Sequence, residues 1–377
     1  MTRRLFTLLS AMSFALFLAT LFLWSRSYRE FDTVGGDLTN AAGLGTGGYE
    51  VYSRDGRLCG RRRRREGCCI VCGYDLRATP ERCPDDDKPF FLKMSFHRPH
   101  SPYDPPGHWF DFYKDADLPK PVVGKWSKET YGSFTSGKNP DSPRGNLSQD
   151  VIRNSRQGYY GAISFVDEQI GRMMDTLQSL GRLDNTLILF CADHGDMLGD
   201  HHLWRKTFPY EASTRIPMIV RWPDGLLDAK RGQILRQLVE LRDVLPTFLD
   251  AAGIAPPSAI EGKSRLDLVR GKTDGWRTQL DLEHSQCYFK ENVWTALTDG
   301  HFKYIYQAVT GQQQLFDLDH DPGELTDLAR AAEHAEALRA WRGRLIEHLA
   351  VRGPRWVSTG DLMLRPEVMV HGENFPA

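Results

Sequence analysis

An N-terminal run of 20 residues, Leu5–Trp24, contains no charged side chain and strongly restricts how this part of the chain can fold. As a helix it is about 30 Å long, the thickness of the hydrocarbon core of a bilayer. Arginines flank both ends, and Trp24 stands where an interfacial aromatic residue is expected. The run predicts a single membrane-spanning anchor within residues 1–30, and hence a membrane location, in preference to a cleaved signal peptide. Arginines at both ends leave the side of the membrane open.

The overall charge gives no reason to expect a nucleic-acid partner. The chain has 48 basic and 49 acidic residues among 377, a net charge of -1. This length is sufficient for one large core or two modest ones. The local exception is the arginine run Arg61–Arg65, in a glycine-flanked stretch without helical or strand periodicity. We predict a solvated arm there, with a contact to a membrane surface or a phosphate group as the alternative.

Clustered cysteines in the linker at residues 31–84 raise the question of a zinc site. Cys69 and Cys72 have the Cys-x-x-Cys spacing of a zinc knuckle, and Cys83 stands where a second knuckle would begin. The position three residues after Cys83 is Asp86, an uncommon ligand in structural zinc sites. The spacing therefore favours a broken ribbon, and a weak zinc site at these three cysteines is the alternative.

The segment Cys72–Pro84 resembles the zinc-ribbon tail of small single-span membrane proteins from planctomycete bacteria, and the anchor resembles their N-terminus. In those proteins the tail continues to a fourth cysteine. Here the sequence changes character after Pro84. We interpret this change as a junction between two unrelated sequences.

Beyond the junction, the hydrophobic pattern is typical of an α/β enzyme. Pro89–Phe96 is an apolar run of strand length, and Thr186–Ala192 is typical of a parallel strand buried on both faces. Asn154–Gly181 has a helical period, and we predict that its apolar stripe is core. The members of the stripe are Ile163, Val166, Ile170, Met173, Met174 and Leu177.

The last third of the chain shows a different pattern. Two short strand-like segments, Val293–Leu297 and Phe302–Tyr306, surround Asp299-Gly300 and predict a hairpin. Leu325–Ala350 is rich in alanine and leucine at helical spacing. We therefore predict a small antiparallel sheet followed by a helix.

Two long segments, Cys191–Lys206 and Arg215–Pro223, resemble the arylsulfatase and choline-sulfatase branch of the alkaline phosphatase superfamily. Shorter segments carry the same resemblance: His97–Pro102, Leu241–Thr247, Leu297–Gly300 and Leu315–Leu318. The resemblance implies an alkaline-phosphatase-like mixed sheet flanked by helices, without its N-terminal strands, over residues 85–267. It also implies a small antiparallel sheet with a closing helix over residues 268–377. The implied activity is hydrolysis of sulfuric esters, on sulfated small molecules or glycans.

The same resemblance implies roles for individual residues. Asp193 and His194, at the end of a predicted strand, match a pair of ligands for a divalent metal, calcium in our interpretation. Lys206 and His100 match residues that contact the sulfate group, where an ammonium and an imidazole neutralise charge on its oxygens. Three further histidines are candidates for the pocket lining, with a surface or supporting place as the alternative: His97, His201 and His202.

The family's nucleophile is a formylglycine made from the first residue of a Cys/Ser-x-Pro-x-Arg motif. None of the prolines in this sequence stands in such a motif, and Ala78–Arg82 matches it except for alanine at the modified position. We therefore predict very poor sulfatase activity for this chain by itself. Three hypotheses stay open: a membrane-attached sulfatase-family hydrolase, a non-catalytic anchored pseudoenzyme or gene fusion, and a related phosphoester or phosphonate hydrolase.

Overall fold

The computed structural model describes residues 49–54, 57–62, 89–131, 142–285 and 287–366. The chain divides into two compact units, Met1–Ser95 and Phe96–Ala377. The predicted anchor and the cysteines 69, 72 and 83 lie outside the described residues. Of the helices within the described ranges, none combines the length and the apolar character needed to cross a bilayer.

In the first unit, the predicted linker contains a β-hairpin that the sequence analysis did not foresee. Strand β1 (Tyr49–Arg54) pairs antiparallel with β2 (Arg57–Arg62), from Tyr49 opposite Arg62 to Arg54 opposite Arg57. The first two arginines of the arginine run therefore belong to β2.

The predicted strand Pro89–Phe96 is wrong, because these residues form no regular element. Phe90 and Phe91 are 40% and 45% exposed. An apolar run becomes a strand only where a neighbouring strand accepts its backbone hydrogen bonds. No strand of the described residues pairs with this run.

The second unit contains short helices, one long helix and three small sheets within its described residues. The helices are α1 (Gly107–Phe112), α2 (Ser127–Tyr131), α3 (Gln149–Ser179), α4 (Glu211–Thr214), α5 (Val244–Ala251), α6 (Arg265–Val269) and α7 (Ala335–Ala350). The strands are β3 (Ile188–Cys191), β4 (Met218–Arg221), β5 (Leu280–His284), β6 (Trp294–Thr298), β7 (Phe302–Gln307), β8 (Gln313–Asp317), β9 (Val357–Ser358) and β10 (Asp361–Leu362).

The strand that leads into the candidate site is confirmed, but its predicted surroundings are wrong. β3 pairs antiparallel with β4, from Ile188 opposite Arg221 to Cys191 opposite Met218. It is not buried on both faces, because Phe190 is 38% exposed and Ile219 opposite it is 60% exposed. Among the described residues, β3 and β4 form a sheet of two strands. Burial of a sheet face requires another element packed against it, and the exposure of these two side chains shows that this face is not fully covered.

The predicted long helix is confirmed as α3. Ser148 caps its first turn by accepting a hydrogen bond from the backbone N–H of Val151, and Gly181 follows its end with a φ of +65°. The prediction that its apolar stripe is core is wrong: Ile163 is 44% exposed, and the other members of the stripe are half-buried. The buried residues lie instead on a face of small and polar side chains: Ser155, Arg156, Gln157, Gly158, Gly161 and Ala162. Helix α1 and the loop before it pack on this side.

The predicted C-terminal sheet and helix are confirmed. Strands β5, β6, β7 and β8 form an antiparallel sheet in chain order, and Gly300 turns β6 into β7 with a φ of +85°. The predicted helix over Leu325–Ala350 begins only at Ala335, after two short 3-10 turns.

Both faces of this C-terminal sheet are covered. On one face, Trp294, Ala296, Ile305 and Phe316 join buried aromatic and aliphatic side chains of the segment Met197–Tyr210. On the other face, Leu297, Tyr304 and Leu315 pack against Trp341, Leu345 and Leu349 of α7, with other apolar side chains. Burial of each large apolar side chain contributes about 1.5–3 kcal/mol. The C-terminal sheet is therefore the support on which the segment leading to Lys206 rests.

Candidate anion-binding site

Lys206 and His100 come from distant parts of the chain and meet in space. The Lys206 Nζ lies 3.0 Å from His100 Nε2, and the Nδ1 of the same ring lies 2.7 Å from the carbonyl oxygen of Ser101. A carbonyl oxygen only accepts hydrogen bonds, so Nδ1 carries the proton and Nε2 accepts from the lysine ammonium. Lys206 retains two N–H groups for a ligand. The sequence prediction had named both residues as contacts of one anionic group.

The loop that carries His100 is held by its own arginine. Arg98 donates to the carbonyl oxygens of His100 and Pro102 at 3.2 and 2.7 Å and forms an ion pair with Asp104 at 2.5 Å. The ring of His97 lies 4.9 Å from that of His100, centroid to centroid. Arg98 thus organises the loop internally. The sequence analysis gave it no role.

Both imidazoles of this loop have a pKa below the ordinary value. Burial lowers the pKa of His97, and the neighbouring His100 and Arg98 add to the effect. Burial also lowers the pKa of His100, and the charge of Lys206 lowers it further, against the opposing hydrogen bond to Ser101. Near neutral pH the loop therefore presents neutral rings beside the amino group of Lys206.

Asp193 and His194 stand after the end of β3, where the sequence analysis predicted metal ligands. His194 Nδ1 donates to the carbonyl oxygen of Gly195 at 2.8 Å. In the neutral ring the lone pair is therefore on Nε2, which lies 3.6 Å from Asp193 Oδ2. The His194 ring lies 6.3 Å from that of His100, so the pair adjoins the lysine contact. A backbone carbonyl that fixes the imidazole tautomer is a common support for a metal-binding histidine.

Two donors are too few for the predicted calcium ion, which takes six to eight oxygen ligands. Within the described ranges, no three His, Cys, Asp or Glu side chains come together as a metal-binding group. The residues present therefore do not fit a complete calcium site. Calcium stays a prediction, and no chemical step is assigned to it.

Gly195 directly follows the Asp193–His194 pair and lies against the backbone of α4. A Cβ atom at this position would lie 2.1 Å from the carbonyl oxygen of Ala212, and the Gly195 N–H donates to the carbonyl oxygen of Ser213 at 2.8 Å. The close approach of the α4 backbone requires glycine here.

Asp196 joins the loop that carries His100 to the turn that carries Lys206. Its carboxylate accepts the hydroxyl of Tyr103 at 3.0 and 3.2 Å, and the backbone N–H groups of Leu198 and Arg205 at 2.9 Å each. Tyr103 follows His100 by three residues, and Arg205 directly precedes Lys206. Because α3 has glycine at position 158, the Tyr103 backbone can lie against that helix. Asp196 was quoted in the family-like segment but received no role from the sequence.

The remaining candidates have other surroundings. His201 is 2% exposed, accepts the Gly124 N–H at Nδ1, and packs against the rings of Trp126 and Tyr210, which also contact each other. It lines a cavity of about 260 Å³ together with acidic side chains and Arg215. His202 is half-buried, and its carbonyl oxygen accepts the Gly145 N–H. The contacts described here for these two histidines do not include Lys206 or His100.

The second unit is an α/β protein in which a strand end and two loops form a half-buried site suited to an oxyanion. Residues 82–254 match the sulfatase family, and residues 199–350 match the C-terminal domain of N-sulphoglucosamine sulphohydrolase. Over these residues the chain belongs to the sulfatase family.

Individual relatives agree with this assignment. The chain is 41% identical over 279 residues to an arylsulfatase of Clostridium perfringens, across 74% of this chain and 57% of the relative. It is 36% identical to a choline-sulfatase of Rhizobium meliloti, across 65% of this chain and 48% of the relative. The chain therefore spans about half the length of these curated relatives.

A solved structure supports the fold. The phosphonate monoester hydrolase SpPMH from Silicibacter pomeroyi has a TM-score of 0.63 at 27% identity, covering 72% of this chain and 58% of that one. The alkaline-phosphatase-like sulfatase fold predicted from the sequence is thus confirmed.

Proposed function

We propose that this chain binds a sulfuric ester through Lys206 and His100, and that it turns over no ester by itself. The observation that carries the proposal is the 3.0 Å contact between Lys206 Nζ and His100 Nε2. It brings an ammonium and a neutral imidazole together at one place in the fold. The sulfatase relatives hydrolyse sulfuric esters, which supports this class of ligand. The nucleophile motif that the family requires is absent from the sequence.

Each side chain has a defined task in this proposal. The two free N–H groups of Lys206 donate to sulfuryl oxygens, and the charge of the ammonium offsets that of the ester. His100 holds the ammonium in place through Nε2, because its Nδ1 proton is committed to Ser101. Nothing in these contacts selects the alcohol part, so sulfated small molecules and glycans are both proposed ligands. One relative is named an N-acetylglucosamine-6-O-sulfatase, which favours testing sugar sulfates.

The direct test is calorimetric titration of the full-length chain, in mild detergent, with phenyl sulfate. Lys206→Ala is expected to weaken binding about 10- to 100-fold, the range for hydrogen bonds to a charged group. Lys290→Ala is the matched control, since Lys290 is an exposed lysine without a described ion pair. Equal affinity in the wild type and Lys206→Ala would exclude this site. Turnover of phenyl sulfate that requires Lys206 would show that another group performs the attack.

A phosphonate monoester is the second candidate ligand. The structural similarity to a phosphonate monoester hydrolase supports it, because such an ester also presents a tetrahedral group with a single negative charge. Competition between phenyl sulfate and phenyl phenylphosphonate distinguishes the two. At least tenfold preference for the sulfate is expected, and the reverse preference would favour the alternative.

We propose a weak divalent-cation site at Asp193 and His194. Two ligands predict a dissociation constant of about 10⁻⁴–10⁻³ M or weaker for calcium. Asp193→Ala should abolish this binding, and Asp184→Ala is the control at another exposed aspartate. Submicromolar binding would mean that further ligands take part.

The proposed membrane location depends on Leu5–Trp24 alone. Chain expressed in bacterial cells is expected in the membrane fraction after alkaline carbonate extraction, and removal of residues 1–30 should release it from that fraction. Full-length chain in the carbonate supernatant would refute the anchor.

A further inference from the structure

The backbone on both sides of Lys206 has an unusual conformation. Arg205 has a φ of +65° and Thr207 a φ of +90°, and neither residue is a glycine. A residue with a Cβ atom is disfavoured in this backbone region and persists there only where the surrounding contacts hold it. The turn that carries Lys206 is therefore held under strain by its neighbours.

Two sets of hydrogen bonds hold this turn. Before Lys206, the Arg205 N–H donates to Asp196 at 2.9 Å, and the Arg205 carbonyl oxygen accepts the Met197 N–H at 2.8 Å. After Lys206, the carbonyl oxygen of Thr207 accepts Asn292 Nδ2 at 3.1 Å and Trp294 Nε1 at 2.8 Å. Asn292 Nδ2 is also 3.0 Å from the Thr207 hydroxyl oxygen.

These supports connect both partners of the Lys206–His100 contact to fixed parts of the unit. Asn292 is fully buried, and Trp294 is 4% exposed in the first position of β6. Asp196 bonds the Tyr103 hydroxyl on the His100 loop as well as the Arg205 N–H. Movement of either loop would break a hydrogen bond to Asp196.

We propose that Asp196 is a positioning residue that sets the Lys206 ammonium against His100, and that Asn292 holds the same turn from the other side. This inference deepens the proposed function and rests on it for the identity of the ligand. Asp196 does not contact the anion in this scheme. It acts through the Arg205 backbone and the Tyr103 hydroxyl.

A double-mutant cycle on the full-length chain, with inorganic sulfate as the calorimetric probe, tests the proposal. Asp196→Asn is expected to weaken sulfate binding about tenfold in the wild-type background and by less than twofold in the Lys206→Ala background, because residues that act as a unit are not additive. Tyr103→Phe, which deletes one donor to Asp196, should weaken binding about threefold and show the same non-additivity. Asp184→Asn and Tyr159→Phe are the matched controls, since neither side chain bonds Asp196 in the described contacts.

An equal loss in both backgrounds would overturn the positioning role, because a merely destabilised fold weakens both alike. Nitrogen-15 NMR of the His100 ring provides a readout without ligand. In both Lys206→Ala and Asp196→Asn, the Nε2 resonance is expected to move toward the position of a nitrogen without a hydrogen-bond donor. An unchanged resonance in Asp196→Asn would refute the inference. Absence of sulfate binding in the wild type would refute the proposed function, while the His100 spectra still decide the positioning role.

Discussion

Lys303 is a fully buried cation whose removal should be among the most destabilising single changes in the second unit. Its ammonium is 2.7 Å from Glu211 Oε1 and 2.9 Å from Glu324 Oε1, and its side chain has no exposed surface. Burial alone would lower the pKa of Lys303, but the two carboxylates outweigh burial and raise it. The ammonium is therefore charged throughout the ordinary pH range.

The perturbation is Lys303→Met, which keeps much of the side-chain volume and removes the charge. The Glu324 side chain is only 2% exposed, so it becomes a buried carboxylate without its cation. Removal of one partner of a buried pair costs about 3–5 kcal/mol. This is a large share of a typical total stability of about 5–15 kcal/mol.

The loss should shrink as the pH falls. Burial already holds the folded-state pKa of Glu324 above its ordinary value, and loss of Lys303 raises it further, because the charge of Lys303 opposes this shift. The folded state then binds more protons than the unfolded state between these two pKa values, so lowering the pH through this window stabilises the variant. The additional change Glu324→Gln should recover much of the loss at pH 7, because it removes the unpaired charge.

Urea unfolding of the full-length chain, followed by tryptophan fluorescence at pH 5 and pH 7, provides the measurement. Lys290→Met is the control and should change stability by less than about 0.5 kcal/mol. A loss below about 1 kcal/mol for Lys303→Met at pH 7, or a loss independent of pH, would refute the reasoning.

Three further predictions follow from burial and charge. Burial lowers the pKa of His201 to about 4. Acidification from pH 6.5 to pH 4 should therefore cost about 3 kcal/mol of stability. In urea titrations, the free energy of unfolding of His201→Gln should depend less on pH over this range. The neighbouring His348 lowers the pKa of Asp281, despite burial and with help from Arg242. Asp281→Asn should therefore lose stability at pH 7 in urea titrations, and this loss should shrink as the pH falls below about 4 and vanish only below the lowered folded-state pKa. Ile219→Thr, on the exposed β4 surface, should reduce the fluorescence of bound anilinonaphthalene sulfonate while changing the free energy of unfolding by less than about 1 kcal/mol; a larger loss would mean that the side chain is buried in solution.

The sequence determined those features that depend on local pattern. The helical period and the stop at Gly181 located α3, and the Asp299-Gly300 turn located the hairpin of β6 and β7. Family-like segments pointed to Asp193 and His194, which follow a predicted strand, and to Lys206 and His100. Local periodicity succeeds here because hydrogen bonding within a helix or a hairpin involves residues close in sequence.

Tertiary structure alone decided which apolar runs are buried and what holds the site. Pro89–Phe96 and the α3 stripe have the right pattern for burial, but burial depends on whether another element covers them. Likewise, nothing in the sequence indicated that Asp196 joins two loops or that Asn292, in the loop before β6, supports the Lys206 turn. Such contacts join residues up to 93 positions apart, as in the Tyr103–Asp196 bond. No local pattern encodes that separation, because the packing of the whole unit brings these residues together.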